Sequence, residues 1–175
     1  MVMERIPADD WHNHAGHIAR YAYAAQHIGH GYSVNDIACG TGYGATFLRH
    51  TTYRGYDRPG IPDPSFAYPG AFYAADLDEP GWLPKPAHVT LCFETIEHVK
   101  DPAKLAEAIC ATTENTVIVS APVVPTKHLN PFHLHDFTID DIPPLFPGFD
   151  VVDEWAQPEE WSHVWKLTRP AGRRG

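Results

Sequence analysis

The chain is poor in cysteine, in positive charge and in long apolar runs. Its three cysteines, Cys39, Cys92 and Cys110, are widely spaced in apolar surroundings. That pattern argues against a disulfide framework or a cysteine-built zinc site and predicts reduced core thiols. Thirteen Lys and Arg face 22 Asp and Glu, a formal net charge of −9, which argues against a broad basic face for gripping nucleic acid. At most a local basic groove remains, and Arg169, Arg173 and Arg174 near the end read as a solvated tail. No apolar stretch approaches the length of a membrane span, and Met1-Val-Met-Glu-Arg5 leads into polar sequence rather than a secretory core. A soluble, cytoplasmic protein without a membrane partner is expected.

What the chain has in plenty is histidine, 12 in 175 residues, gathered at positions 12–17, 27–30 and 128–135. Apolar positions 18, 21, 22, 25 and 28 recur at helical spacing and predict a leading helix over residues 14–28, stopped by Gly29 and Gly31. A short strand over 33–38, a glycine turn over 40–44 and a short helix over 45–49 follow. Strands are expected at 52–56 and 71–74, separated by Pro59, Pro62 and Pro64, which forbid a regular crossover helix. A fourth strand is expected at 88–93. Asp101 suits an N-cap and Pro102 the first helical position, with Leu105, Ala108 and Ile109 as the buried stripe. The β-branched run 116–120 is a fifth strand. Thr138 with Asp141 signals a one- or two-turn helix closed by Pro143 and Pro144, and strands over 149–155 and 161–168 form a last antiparallel pair. Strands alternating with helices imply an α/β, doubly wound, mostly parallel sheet, whose ligands bind beyond the carboxyl ends of the strands.

Those ends carry unusual residues. After the first strand, Gly40, Gly42 and Gly44 allow close approach of the backbone to a ligand, though many G-x-G-x-G matches are simply tight turns. Asp57 ends the second strand about twenty residues after Asp36, where a carboxylate can accept both ribose hydroxyl protons, and Asp76 follows the third strand. The plainer reading makes Asp57 a turn residue and Asp76 a solvated loop charge. Taken together, Asp36-Ile-Ala-Cys-Gly-Thr-Gly-Tyr-Gly44, Gly55-Tyr-Asp57, the run from Phe93 to Pro102, and Asn130-Pro-Phe-His133 resemble the class I S-adenosylmethionine-dependent methyltransferases. The resemblance runs from His17 to about Thr168. It implies a seven-stranded Rossmann-like sheet with the last strand antiparallel, in a single domain over residues 1–175. Residues 1–30 would supply the leading helix, 31–100 the cofactor half and 101–175 the substrate side. Crossover helices after the second and third strands are trimmed relative to the family.

By that resemblance Ala38, Gly40 and Gly42 approach the methionine part of S-adenosylmethionine, and Asp36 holds its ammonium end through the turn. Asp57 binds the ribose, Asp76 and Leu77 meet the adenine edge, and Phe93 lines the pocket. Arg20, within His17-Ile-Ala-Arg-Tyr21, looks like the residue that reaches the cofactor carboxylate. A surface cation is its plainer reading.

Glu94, Glu97 and His98 follow an apolar strand, and two carboxylates with an imidazole suit a divalent Mg, Mn or Zn ion. The same E-x-x-E-H run resembles the metal motif of ubiquinone-biosynthesis O-methyltransferases and of enzymes that methylate the 2′-hydroxyl ending small RNAs. In the latter a downstream histidine, here His133 or His135, completes the site. Glu97, His98 and His133 are the candidate catalytic residues, with a histidine taking the acceptor proton. Alternatively Glu94 and Glu97 merely flank the helix that begins near Asp101. His12 and His14 precede the leading helix, which in this fold can lie over the active site and bring them to a substrate; solvated loop residues are their plainer reading. The imidazole- and aromatic-rich stretch 127–137 suits a sugar, phenol or nucleoside. O-methylation of a small-molecule or glycan hydroxyl is the leading expectation. Metal-dependent 2′-O-methylation of an RNA 3′ end and a non-catalytic cofactor-binding module are the rivals.

Overall fold

A computed structural model describes residues 6–66 and 71–172. Arg173 and Arg174 of the basic tail lie outside the described residues. Seven strands form one sheet: β1 (Ser33–Ile37), β2 (Thr52–Asp57), β3 (Ala71–Ala74), β4 (Ala87–Phe93), β5 (Thr113–Pro122), β6 (Asp150–Gln157) and β7 (Ser162–Thr168). Their order is β3-β2-β1-β4-β5-β7-β6. The first five are mutually parallel, and β7 runs antiparallel to both β5 and β6. The doubly wound sheet with its antiparallel end is as the sequence predicts.

Two α-helices are described, and each takes one face. Because side chains alternate along a strand, Val89, Leu91 and Phe93 of β4 pack with Ile118 and Val164 beneath α1 (Ala15–His27). Cys92, Val117, Val119, Trp165 and Leu167 pack with Leu105, Ala106 and Ile109 of α2 (Pro102–Thr112) on the other side. Asp101 caps α2, its Oδ1 accepting from the Lys104 backbone N–H at 3.1 Å, and Pro102 occupies the first turn, where no N–H is missed. Cys39 and Cys92 are buried and Cys110 partly so.

Three predicted details differ. The buried stripe of α1 is Gly16, Arg20, Tyr21 and Ala24, rotated from the apolar one, because a buried arginine occupies it. The helix expected over 45–49 is a single 3-10 turn, Tyr43–Thr46, in which the Thr46 hydroxyl donates to the Tyr43 carbonyl at 2.7 Å and so competes with a helical ladder. Asp141 does accept from both the N–H and the hydroxyl of Thr138, but Pro143–Leu145 forms only a 3-10 turn. Among the described residues, the β4-to-β5 crossover is the one parallel crossover that carries an α-helix.

Gly42 holds φ +91°, and a Cβ there would run into the Phe72 ring. Its role is to let the glycine turn lie flat on the β3 side of the sheet. Gly42→Ala combines backbone strain with overpacking and is expected to lower unfolding stability by about 1–3 kcal/mol in a denaturant titration.

Candidate functional site

The carboxyl ends of β1 to β4 open into a cavity of about 340 Å³. Ala38, Cys39 and Gly40 form its floor at the exit of β1, with Asp57 and Arg58 after β2, Ala75 to Asp78 after β3, and Phe93 to Val99 after β4. Asn130 and His133 reach it from the loop after β5, and Ile6, His14, His17 and Tyr21 close it from the N-terminal side.

Of the residues expected to hold the cofactor, Ala38, Gly40, Asp57, Asp76, Leu77 and Phe93 line this cavity. The Asp57 carboxylate is fixed by two backbone donors, Gly40 N–H at 2.8 Å and Arg58 N–H at 2.7 Å. A Cβ on Gly40 would meet nothing within 4 Å, so open space lies against that backbone. Ala38 is held at φ +56°, an uncommon conformation for alanine that turns the chain sharply out of β1.

Arg20, Asp36 and Gly42 do not line the cavity. Gly42 packs on Phe72 as described. Asp36 is buried, and its Oδ2 accepts from the Tyr21 hydroxyl at 2.9 Å and the Tyr53 hydroxyl at 2.6 Å. Burial pushes its carboxyl up to about 7 against the pull of the two phenols. Arg20 is fully buried at the junction of α1 with the sheet, where Nη1 donates to Gln157 Oε1 at 2.7 Å and lies 3.5 Å from Glu94 Oε1. Its Nε and Nη2 find no partner among the described residues.

Glu94, Glu97, His98 and His133 all line the cavity, but they divide. Glu94, at φ +47°, spends its carboxylate on structure: Oε1 accepts from Ser120 Oγ and Oε2 from Ser162 Oγ, both at 2.7 Å. The group whose ligand atoms lie within 4.8 Å of one another is Glu97, His98 and His133, without Glu94. Glu97 is 1% exposed, and neither carboxylate oxygen has a hydrogen-bond partner among the described residues. Burial, with the Glu94 carboxylate nearby, drives its carboxyl well above the usual range. His98 Nε2 lies 3.7 Å from Glu97 Oε1, while its Nδ1 donates to the Phe132 carbonyl at 3.0 Å. A carbonyl cannot donate, so Nδ1 carries a proton, and in the neutral ring the lone pair is on Nε2. The His133 ring stands edge-on to His98 at 4.6 Å, and burial lowers its basicity. His135 is turned away, Nε2 donating to the Val99 carbonyl.

Sequence reasoning missed His17 and Tyr43 and undervalued His14. His14 lines the cavity and pairs with Asp10 at 3.2 Å, whereas His12 is exposed. His17 Nδ1 and the Tyr43 hydroxyl share a 3.0 Å hydrogen bond, and burial together with Arg20 pushes His17 down to about 3. The signal was available: His14, His17 and Tyr21 fall at i, i+3 and i+7 on one face of the leading helix.

No family model and no curated protein sequence matches the chain. Solved structures do match it. A Bacillus halodurans protein assigned as a methyltransferase superposes with a TM-score of 0.72 at 12% identity, covering 90% of this chain and all of the other. Magnesium protoporphyrin IX methyltransferase from Synechocystis, with S-adenosylhomocysteine bound, gives 0.69 at 15% identity, covering 91% and 83%. An O-methyltransferase family 2 protein from Planctomyces limnophilus, in complex with apigenin, gives 0.65 at 15%, covering 90% and 59%. The fold is that of the class I S-adenosylmethionine-dependent methyltransferases. Among the described residues, 3-10 turns rather than α-helices follow β1 and β2 in this methyltransferase fold. No helix among the described residues is long and apolar enough to cross a membrane.

Half-buried His17 and buried Asp36 make opposite demands on stability. Neutral His17 stays unprotonated in the native state while an unfolded histidine titrates near 6.5, so its contribution is full above that pH and is lost as pH falls toward 3. Asp36 keeps a proton that the unfolded chain releases near 3.8, so its contribution is full below that value and is lost as pH rises toward 7. Relative to the parent protein, His17→Phe is expected to make the change of stability from pH 4 to 7 more negative and Asp36→Asn to make it more positive, each by up to about 1.4 kcal/mol per pH unit. Denaturant midpoints across that range check both, and slopes unchanged from the parent protein would contradict the assignments. Glu94→Ala, which leaves Arg20 buried without its counter-charge, is expected to cost about 2–4 kcal/mol in the same assay.

Proposed function

We propose that this chain is an S-adenosylmethionine-dependent methyltransferase acting on a hydroxyl oxygen of a small molecule or glycan. The observation that carries the reading is one cavity that joins Gly40, Asp57, Asp76, Leu77 and Phe93 on one side to Glu97, His98 and His133 on the other. Residues 31–100 then carry the cofactor and 101–175 the acceptor side, with residues 1–30 as the leading segment.

The open space at Gly40 and the backbone-fixed Asp57 carboxylate fit an adenosyl cofactor: Asp57 accepts from ribose hydroxyls, and Asp76 with Leu77 meets the base edge. When bound, S-adenosylmethionine supplies an activated methyl group on sulfur, which passes to the acceptor oxygen as the carbon–sulfur bond breaks. The chain's own work is orientation and proton removal. Phe93, Tyr21 and Tyr43 supply an aromatic wall that excludes water, and the lone pair on His98 Nε2 takes the acceptor proton.

A small, uncharged acceptor is favoured over an RNA end because Asp57, Asp76, Asp78 and Glu94 line the cavity, with Arg58 the one Lys or Arg among the described lining residues. Apigenin in a structural neighbour supports the same choice. The two unpartnered oxygens of Glu97 beside His98 Nε2 favour a second occupant. A divalent ion on Glu97, His98 and His133 fits that donor set; it would occupy the His98 Nε2 lone pair and lower the pKa of the acceptor hydroxyl itself, in place of the histidine as base.

S-adenosylhomocysteine at a hundredfold excess over its dissociation constant is expected to stabilise the protein by about 2.7 kcal/mol, read as a rise in thermal midpoint. Asp57→Ala should abolish the rise, and no shift at millimolar ligand would count against cofactor binding. In a labelled-methyl screen of phenols, glycans and RNA, His98→Ala should lose about 10²- to 10⁴-fold in turnover while keeping the thermal shift. Binding without transfer to any acceptor would favour a non-catalytic module. Loss of turnover in chelator, restored by Mg, Mn or Zn, would establish the metal.

A further inference from the structure

The loop after β5 is built around one buried hydroxyl. Thr126 is 6% exposed, and its Oγ1 lies 2.7 Å from His133 Nδ1. The backbone around it is closed on itself. The Thr126 carbonyl accepts from Leu129 N–H at 2.8 Å and Asn130 N–H at 2.9 Å, and Asp136 Oδ1 accepts from the N–H groups of Thr126 at 2.7 Å and Lys127 at 3.0 Å. The same loop is stitched to the segment after β4. The Glu97 carbonyl accepts from Leu134 N–H at 2.8 Å, the Phe132 carbonyl accepts from His98, and the Val99 carbonyl accepts from His135. The Thr126 oxygen is therefore held at a fixed place relative to Glu97 and His98.

We propose that Thr126 is the positioning residue of the acceptor side, holding His133 by Nδ1 so that Nε2 faces the acceptor beside His98. This rests on the methyl-transfer reading above. A hydroxyl suits the task because it both donates and accepts. Accepting from Nδ1–H, it selects the tautomer whose lone pair is on Nε2 and fixes the orientation of the ring. A side chain of the same shape without oxygen would take away the Nδ1 partner in this half-buried ring and leave the ring free to turn.

Thr126→Val keeps the shape and every backbone bond and removes only the hydroxyl, whereas Thr126→Ser keeps the hydroxyl. In ¹⁵N spectra of the histidine rings of the intact protein, the valine variant is expected to move the His133 ring nitrogens and the serine variant to leave them in place. With the acceptor found by the labelled-methyl screen, valine should lower kcat tenfold or more with both KM values within twofold, and serine should stay within threefold of the parent. A valine spectrum that overlays the parent's, or a serine variant as impaired as valine, overturns the proposal. Should valine fail to fold, Thr126→Ala carries the same comparison. Absence of methyl transfer by the parent protein would sink the functional reading, while the ring spectra, which need no acceptor, would still decide the role of Thr126.

Discussion

The carboxylate of Glu94 joins the leading helix, β5 and β7 at the point where β4 ends. Ser120 and Ser162 donate to its two oxygens, and Arg20, fixed by Gln157, stands 3.5 Å away from the helix side. In low dielectric each of these groups is expensive to strand, so each holds the others in place. The Glu94 backbone donates to the carbonyl and to the hydroxyl of Ser120, and its φ of +47° turns the chain out of the sheet. That turn is what carries Glu97 and His98 to the cavity. The residue that resembles a metal ligand in the sequence thus serves as the anchor for those that face the ligand.

The same economy runs through the rest of the fold. With an α-helix described in only one of the parallel crossovers, single side chains do the joining. Asp57 ties the glycine turn to the end of β2, Asp36 gathers Tyr21 of α1 and Tyr53 of β2, and Asp136 closes the loop that carries His133. The buried carboxylates that appear in the sequence as ligand groups are divided between joining the backbone and facing the cavity.

This division explains what could be read from the sequence. All seven strands were legible because β-branched and apolar runs alternate with Gly and Pro, and the α2 cap because Asp101 and Pro102 act locally. Asp57, Asp76, Leu77 and Phe93, read from the sequence as cofactor residues, line the cavity because they stand at the ends of β2 and β4 or within three residues of the end of β3. Arg20, Asp36 and Gly42 were not, since what removes them from the cavity is a distant partner: Gln157 and Glu94, Tyr21 and Tyr53, and Phe72. Thr126 was invisible for the same reason, its meaning lying in the turn that returns His133 to it.

Amide hydrogen exchange with and without S-adenosylhomocysteine tests most directly whether this cavity is the cofactor site. Protection is expected at 38–41, 57–58, 76–78 and 93–94, the strand exits that share the cavity, with little change over β6 and β7. Protection confined to the β6–β7 end of the sheet, or none at saturating ligand, would contradict it.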